Sequence, residues 1–305
     1  MNSLEKIKVT VYIPTYNRSN LLQRALASVQ NQTYRNLDII VIDDCSTDET
    51  AKIVTDISLE DKRVRLIQNE SNSGACVSRN KAIVSAQGEF ITGLDDDDFF
   101  LPQRIDNFLK TWFSEQKSGE NFLALYSNAL VQEPSRLRFG NQQVRLRRLS
   151  RPKRFEGKKL FRRNGIGNQL FAKTDLFRQV LFDAQLPMWQ DWDCWHRLLG
   201  EFKAVNTKEY DYVLDVSHEH ERITGKGSEV AKNAFNRMVD KYKLDNTGRA
   251  RLYNSYYAYV VNPERTGVIF HVLVNQKSVY HSIRLLRLHI SKILKKLLYH
   301  RHSAP

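Results

Sequence analysis

Between Val9 and Leu94 the chain alternates short apolar runs with amphipathic stretches, and this alternation leaves few folds open. Val9 to Ile13 reads as a strand ended by Pro14. Asn20 is placed to cap the helix that follows, whose apolar face is Leu21, Leu22, Ala25, Leu26 and Val29. Asp38 to Ile42 is a second strand. Thr47 is placed to cap a second helix, with Ile53, Val54 and Ile57 on its buried side. Val64 to Ile67, Ala75 to Ala86 and Phe90 to Leu94 continue as strand, helix and strand. Such an order predicts parallel βαβ units: an α/β fold with a Rossmann-like, mostly parallel sheet flanked by helices. Ligands of such sheets bind outside the carboxyl ends of the strands.

Those strand ends are Pro14-Thr15-Tyr16-Asn17, Asp43 to Thr47, the turn from Asn69 to Gly74, and Asp95-Asp96-Asp97-Asp98. Two of them carry adjacent carboxylates. Like charges packed side by side repel unless a cation or a shifted pKa relieves them. A hard divalent cation such as Mn²⁺ or Mg²⁺ suits oxygen ligands, taking one or two carboxylates together with substrate phosphates. An isolated acidic run reads more simply as a solvated turn that caps the next helix. Its placement after a buried strand, with Asp43-Asp44 at a neighbouring strand end, favours the cation.

The net charge is +13 and unevenly spread. One basic block runs from Arg136 to Arg163 with Glu156 as its only acid, and a second, from Lys277 to Arg301, contains none. Diphosphates, anionic lipid headgroups or nucleic acid would all answer such charge. No zinc-finger spacing, glycine-aromatic RNA motif or basic zipper supports nucleic acid, so none is expected as a partner. A dinucleotide-dependent oxidoreductase would carry Gly-x-Gly-x-x-Gly after the first strand, and this chain does not. No run of about 18 apolar residues suggests a membrane span. The first residues lack the apolar stretch of a secretory signal. Cys45, Cys76 and Cys194 are scattered, unlike a disulfide framework or zinc site. The expectation is a cytoplasmic protein with free thiols.

The segments VYIPTYNRSNLLQRALASVQNQTY, IIVIDDCSTDET, NSGACVSRNKAI and GEFITGLDDDDFFLPQRI, followed more loosely by FDAQLPMWQDWDCWHRLL, resemble the family 2 glycosyltransferases in order and spacing. These enzymes use the nucleotide-sugar-binding fold called GT-A. The resemblance implies that Pro14 and Tyr16 pack against the nucleotide base. It implies that Asp44, with Asp43 beside it, accepts a hydrogen bond from the uracil imide. Cys45 stands where the family usually has glycine or asparagine. Arg79 either helps neutralise the nucleotide or is a surface arginine of an amphipathic helix. Asp97 resembles the direct metal ligand, with Asp95 or Asp96 turned towards the ribose or a metal-bound water, while Asp98 caps the helix beginning near Pro102.

Asp191 sits where the family places the base of an inverting transfer, with Gln190 before it in place of the usual acid; Asp193 is the competing candidate. Trp189, Trp192 and Trp195 suggest an acceptor-sugar platform, although Trp195 at helical spacing from Trp192 also fits a core position. His218 and His220 alternate after the strand-like Tyr212 to Val216, and either completes the metal shell, touches the diphosphate or is structural. Ile223 to Ser228, with two glycines, reads as a loop able to close over donor and acceptor.

The expected organisation is a nucleotide-sugar-binding half over 1–110, an acceptor-binding half with the base over 111–228, and a helical C-terminal appendage over 229–305. In the last, Ile283, Leu286, Ile290, Ile293, Leu294 and Leu297 recur at helical spacing among lysines and arginines. That pattern suits a cationic helix on an anionic membrane surface, or a helix packed on the domain with a solvated basic face. The resemblance is to bacterial O-antigen and capsule transferases. It implies a metal-dependent, inverting hexosyltransferase, peripheral on the inner face of the cell membrane. The expected donor is a UDP-sugar carrying glucose or galactose, the acceptor GlcNAc-diphosphate-polyprenol, and the product a β linkage. The alternative acceptors are a polyprenyl phosphate and a growing polysaccharide.

Overall fold

The alternation is present from the first strand to the fourth. The computed structural model describes residues 3–134, 144–157, 159, 164–218, 228–249 and 251–253. Strands β1 (Val9–Thr15), β2 (Leu37–Asp43), β3 (Val64–Gln68) and β4 (Phe90–Gly93) are separated by helices α1 (Ser19–Gln30), α2 (Thr50–Glu60) and α3 (Ala75–Ser85). They pair in parallel in the order β3-β2-β1-β4. β1 and β2 are buried at every position, as expected of parallel strands covered on both faces. The inner side of α1 is Leu22, Ala25, Leu26 and Val29, all buried. Burying each of the larger three contributes ~2 kcal/mol.

Three local expectations are corrected. Pro14 does not end β1 but lies in register opposite Ile42. Pairing with β4 stops at Tyr12, so Pro14 sits where β1 has a neighbour on one side only and its missing amide leaves no ladder bond unmade. Neither Asn20 nor Thr47 caps a helix. Asp48 serves both helix starts instead, its two oxygens accepting from the amides of Ser19 and Thr50, each at 3.0 Å.

Beyond β4 the sheet becomes mixed. The short strand β5 (Phe99–Phe100) precedes α4 (Arg104–Lys117), and β6 (Phe122–Pro134) is followed by β7 (Val144–Leu149), β8 (Arg154–Glu156) and β9 (Phe171–Lys173). After α5 (Thr174–Val180) and α6 (Gln190–Leu199) comes β10 (Lys203–Asp215). β9 is antiparallel to both β4 and β6, and so joins the parallel half to the rest. β10 runs parallel to β6 and antiparallel to β5 and β8, while β7 pairs with β6. Phe171 of β9 stacks between Phe90 and Phe108, at ring-centroid distances of 5.0 and 4.7 Å. Buried Arg104 binds α4 to β10 and β6 through Asp211 and Ser127, each at 2.6 Å.

The chain divides into two compact units. The larger takes in Met1–Lys158, Gly165–Ala184 and Gln190–Glu219; the smaller takes in Lys159–Asn164, Gln185–Trp189 and His220–Pro305. In the smaller, α7 (Ser228–Lys241) buries Ala231, Ala234 and Met238, and Phe235 meets Tyr253 edge-on. The C-terminal amphipathic segment lies outside the described residues. Among those described, no helix is long and apolar enough to cross a membrane. The three cysteines are free thiols.

Candidate active site

The four aspartates after β4 point in different directions, and the structure assigns each its own partners. Asp95 is bound on both oxygens. Oδ1 accepts from Arg79 at 2.9 Å and Gln169 at 3.1 Å, and Oδ2 from Asn168 at 2.8 Å. Asp96 accepts from Thr15 at 2.9 Å and Arg18 at 3.0 Å. Burial, reinforced by Asp97 and opposed by Arg18, pushes its carboxyl up to about 6. Asp97 reaches His218, its Oδ2 lying 3.3 Å from Nε2, with Arg18 Nη1 at 3.6 Å.

Asp98 is not a helix cap. It is buried, and it accepts from the Tyr212 hydroxyl at 2.6 Å, the Asp215 amide at 2.9 Å and Asn168 at 3.2 Å. It therefore fastens the end of β10 to the acidic turn, with β5 intervening before α4. Burial, then the charges of Asp97 and Asp95, hold its carboxyl well above the usual range.

Arg79 is no loose surface arginine. Its side chain is 13% exposed, and it spans from Asp95 to Gln190 Oε1 at 3.3 Å. That contact ties the acidic turn to the first turn of α6, where Asp191 follows. Asp191 is half-buried. Burial lifts its carboxyl to about 6, against the opposing pull of the Trp192 amide and Arg79. Asp193, the rival base, is fully buried and clamped by Arg197 at 2.9 and 2.7 Å, so it serves the helix. The tryptophans form no exposed platform. Trp189, Trp192 and Trp195 are all buried, and Trp195 packs edge-on against Phe177 and Phe182 while donating to the Gly167 carbonyl.

At the neighbouring strand ends, Tyr16 is 42% exposed beside the buried Thr15. Pro14 lies within β1 behind it. Asp43 accepts from the Ser46 amide at 2.9 Å and from Gln68 at 3.3 Å. Asp44 accepts from Asn69 at 2.6 Å and from the amides of Ser73 and Gly74 at 2.9 and 2.7 Å. Both carboxylates thus shape the loops around the site, and Asp44 holds the 69–74 turn. Cys45 adopts a left-handed backbone, φ 69°.

Asp97 and His218 bring a carboxylate oxygen and an imidazole nitrogen to one point from separate segments. Among the described residues no three His, Cys, Asp or Glu side chains gather as a metal cage. Two protein donors fit a divalent cation whose other ligands come from a diphosphate and water. His220 and the 223–227 loop lie outside the described residues. Sequence reading missed Arg18, Arg24, Asn168, Gln169, Tyr212 and Asp215. Arg24 binds the Asp97 carbonyl at 2.6 Å and Asp215 at 2.5 Å. Arg18 stands inside the motif that carried the resemblance, but nothing in its spacing pointed to Asp96.

The signature of Glycosyl transferase family 2 matches residues 10–167, from β1 to the segment beside Asn168. The chain is 34% identical over 254 residues to the putative colanic acid biosynthesis glycosyl transferase WcaA of Escherichia coli, covering 77% of this chain and 85% of that one. It is 34% identical over 131 residues to the GalNAc(5)-diNAcBac-PP-undecaprenol beta-1,3-glucosyltransferase of Campylobacter jejuni, spanning 43% of this chain and 40% of that one. In fold it resembles S. aureus TarS 1-349 in complex with UDP-GlcNAc, with a TM-score of 0.58 at 17% identity over 93% of this chain and 81% of that one. It also resembles the mannosyltransferase PcManGT of Pyrobaculum calidifontis in complex with GDP-Man and Mn²⁺, with a TM-score of 0.57 at 16% identity over 94% and 80%. These last two likenesses bear on the fold alone, which is GT-A. With more than half of its length matched, the chain belongs to glycosyl transferase family 2.

Proposed function

We propose that this protein is an inverting hexosyltransferase that moves a sugar from a UDP-sugar to a lipid-linked diphosphate-sugar acceptor in bacterial polysaccharide assembly. The observation that carries the reading is Arg79, which links Asp95 of the acidic turn to the α6 terminus bearing Asp191. A link thus runs between the acidic turn proposed to bind the donor and the helix start that carries a half-buried carboxylate raised to about 6. In the transfer, the acceptor hydroxyl oxygen attacks the anomeric carbon and Asp191 takes its proton. The bond from that carbon to the β-phosphate oxygen breaks, and the electron pair leaves with UDP, so the configuration inverts.

Tyr16 and Pro14 are assigned to the base, Asp43 and Asp44 to the loops that receive the uracil, and Asp95 and Asp96 with Arg79 to the ribose side. Asp97 and His218 would hold Mn²⁺ or Mg²⁺, and His220 is a further candidate. When bound, the cation would neutralise charge building on the diphosphate. Residues 1–110 would form the donor half and 111–228 the acceptor half, with 229–305 as the C-terminal region. The similarity to a PP-undecaprenol glucosyltransferase supports the acceptor class, and the similarity to the putative teichuronic acid biosynthesis glycosyltransferase TuaG of Bacillus subtilis supports polysaccharide assembly. The test incubates the purified protein with a panel of UDP-sugars, Mn²⁺ and a synthetic GlcNAc-diphosphate-lipid. Transfer from one UDP-hexose, abolished by chelator, is expected. No transfer from any donor, with no chelator-sensitive UDP binding, would sink the proposal.

A further inference from the structure

We propose that Arg151 is a binding residue for the phosphate oxygens of the acceptor, an inference that rests on the diphosphate acceptor of the preceding section and deepens it. In the described part of the basic block, most arginines are already answered. Arg145 and Arg147 pair with Glu133, Arg154 pairs with Glu115 and Glu120, and Arg148 lies over the Tyr210 ring. Arg79, Arg104 and Arg197 each hold a carboxylate. Arg151 differs. Among the described residues its guanidinium makes no hydrogen bond or ion pair, and its Nε is sealed from solvent without a partner. Burial, with Arg104 nearby, lowers its pKa only to about 10, so the group stays charged at neutral pH. A partly buried cation without a counter-ion is costly to keep, and a phosphate is the anion whose geometry a guanidinium fork fits.

Its backbone is fixed. The Arg151 amide donates to Asn128 of β6 at 2.8 Å, and its carbonyl accepts from Asn206 of β10 at 3.1 Å. The guanidinium abuts Gly167 with its Nη1–Nη2 edge, where an added Cβ would stand 1.5 Å from Nη1, 2.3 Å from Cζ and 2.4 Å from Nη2. Gly167 adjoins Asn168, which donates to Asp95 and Asp98. Its carbonyl meets Trp195 of α6. Arg151 thus stands over the segment joining the acidic turn to the helix of the base, and Asp191 is among the charges that act on it. The donor diphosphate is assigned instead to Asp97 and His218. An anion at Arg151 is therefore on the acceptor's side.

Full-length protein and its Arg151→Met and Arg151→Lys variants are titrated in chelator-containing buffer with three probes: inorganic pyrophosphate, a short-chain GlcNAc-diphosphate-lipid and a phosphate-free GlcNAc alkyl glycoside. UDP with Mn²⁺ is titrated separately, and Tm is read for each protein. Arg151→Met is expected to weaken both diphosphate probes at least tenfold and Arg151→Lys to weaken them less. Neither variant should alter UDP or glycoside binding or lower Tm, because no native bond is removed. Equal loss of UDP affinity would give the anion to the donor and overturn the proposal. So would diphosphate affinity that is absent from the wild type or unchanged in the variants, or a fall in Tm in both. Arg151-dependent pyrophosphate binding, in a protein that neither binds nor glycosylates the GlcNAc lipid, would uphold the anion site while removing the acceptor reading beneath it.

Discussion

Asp191, the proposed general base, is partly exposed and has a proton affinity near the working pH. Its carboxyl is raised to about 6 chiefly by burial. A base accepts a proton only while ionised, so kcat/KM is expected to be level above pH about 6 and to fall roughly tenfold per unit below it. Asp191→Asn should cut turnover by about 10²–10⁴-fold while UDP affinity in calorimetry stays the same. Retained turnover, or a pH profile unmoved by the substitution, would remove Asp191 from this role. The sequence singles out Asp191 because a short motif surrounds it. Asp193, two places on, was separable from it only once Arg197 was seen to clamp it. The division of labour in the acidic run was half legible. Asp98 looks like a cap until Tyr212 and Asp215 arrive from more than a hundred residues away. Cys45 shows the opposite case. A position usually held by glycine or asparagine does adopt a left-handed backbone here, and a cysteine occupies it.

At the scale of elements, the site depends on strands that end in step. β1, β2 and β4 stop close together, so Tyr16, Asp44 and Asp95 emerge on one edge of the sheet. The first four strands and three helices were readable because each repeats its apolar pattern locally. β6 and β10 were not, since their pairing joins segments about eighty residues apart and their register shifts at bulges; only Tyr212 to Val216 had looked strand-like. Gly93 at the end of β4 shows how tightly the ends are packed. A Cβ there would lie 2.2 Å from Gln169 Oε1 and 2.5 Å from Tyr12 Cζ. Gln169 also donates to Asp95. Gly93→Ala is therefore expected to destabilise the fold by about 1–3 kcal/mol, and to weaken donor binding by displacing Gln169. Thermal unfolding and UDP titration check both effects. An unchanged Tm would mean that Tyr12 and Gln169 relax freely.

For the whole molecule, the net charge of +13 has two different fates. Much of the described basic block is neutralised inside the larger unit, by Glu133 on β6 and by Glu115 and Glu120 around α4. The charge from Lys277 onward has no acid within its own segment, and its apolar residues recur at helical spacing. A basic residue near an anionic bilayer contributes about 1 kcal/mol, and the attraction is screened by salt. Lys277, Arg284, Arg287, Lys292, Lys295, Lys296 and Arg301 together would contribute several such increments. Removing the chain after Gln276 should therefore abolish co-sedimentation with vesicles containing anionic phospholipid. Binding of the full chain to the same vesicles should fall as salt rises, and neutral vesicles should bind neither protein. UDP affinity should survive the truncation, because Tyr16, Asp44 and Asp97 all belong to the larger unit. Unchanged sedimentation of the shortened chain would place the basic helix against the protein and leave membrane attachment to another surface.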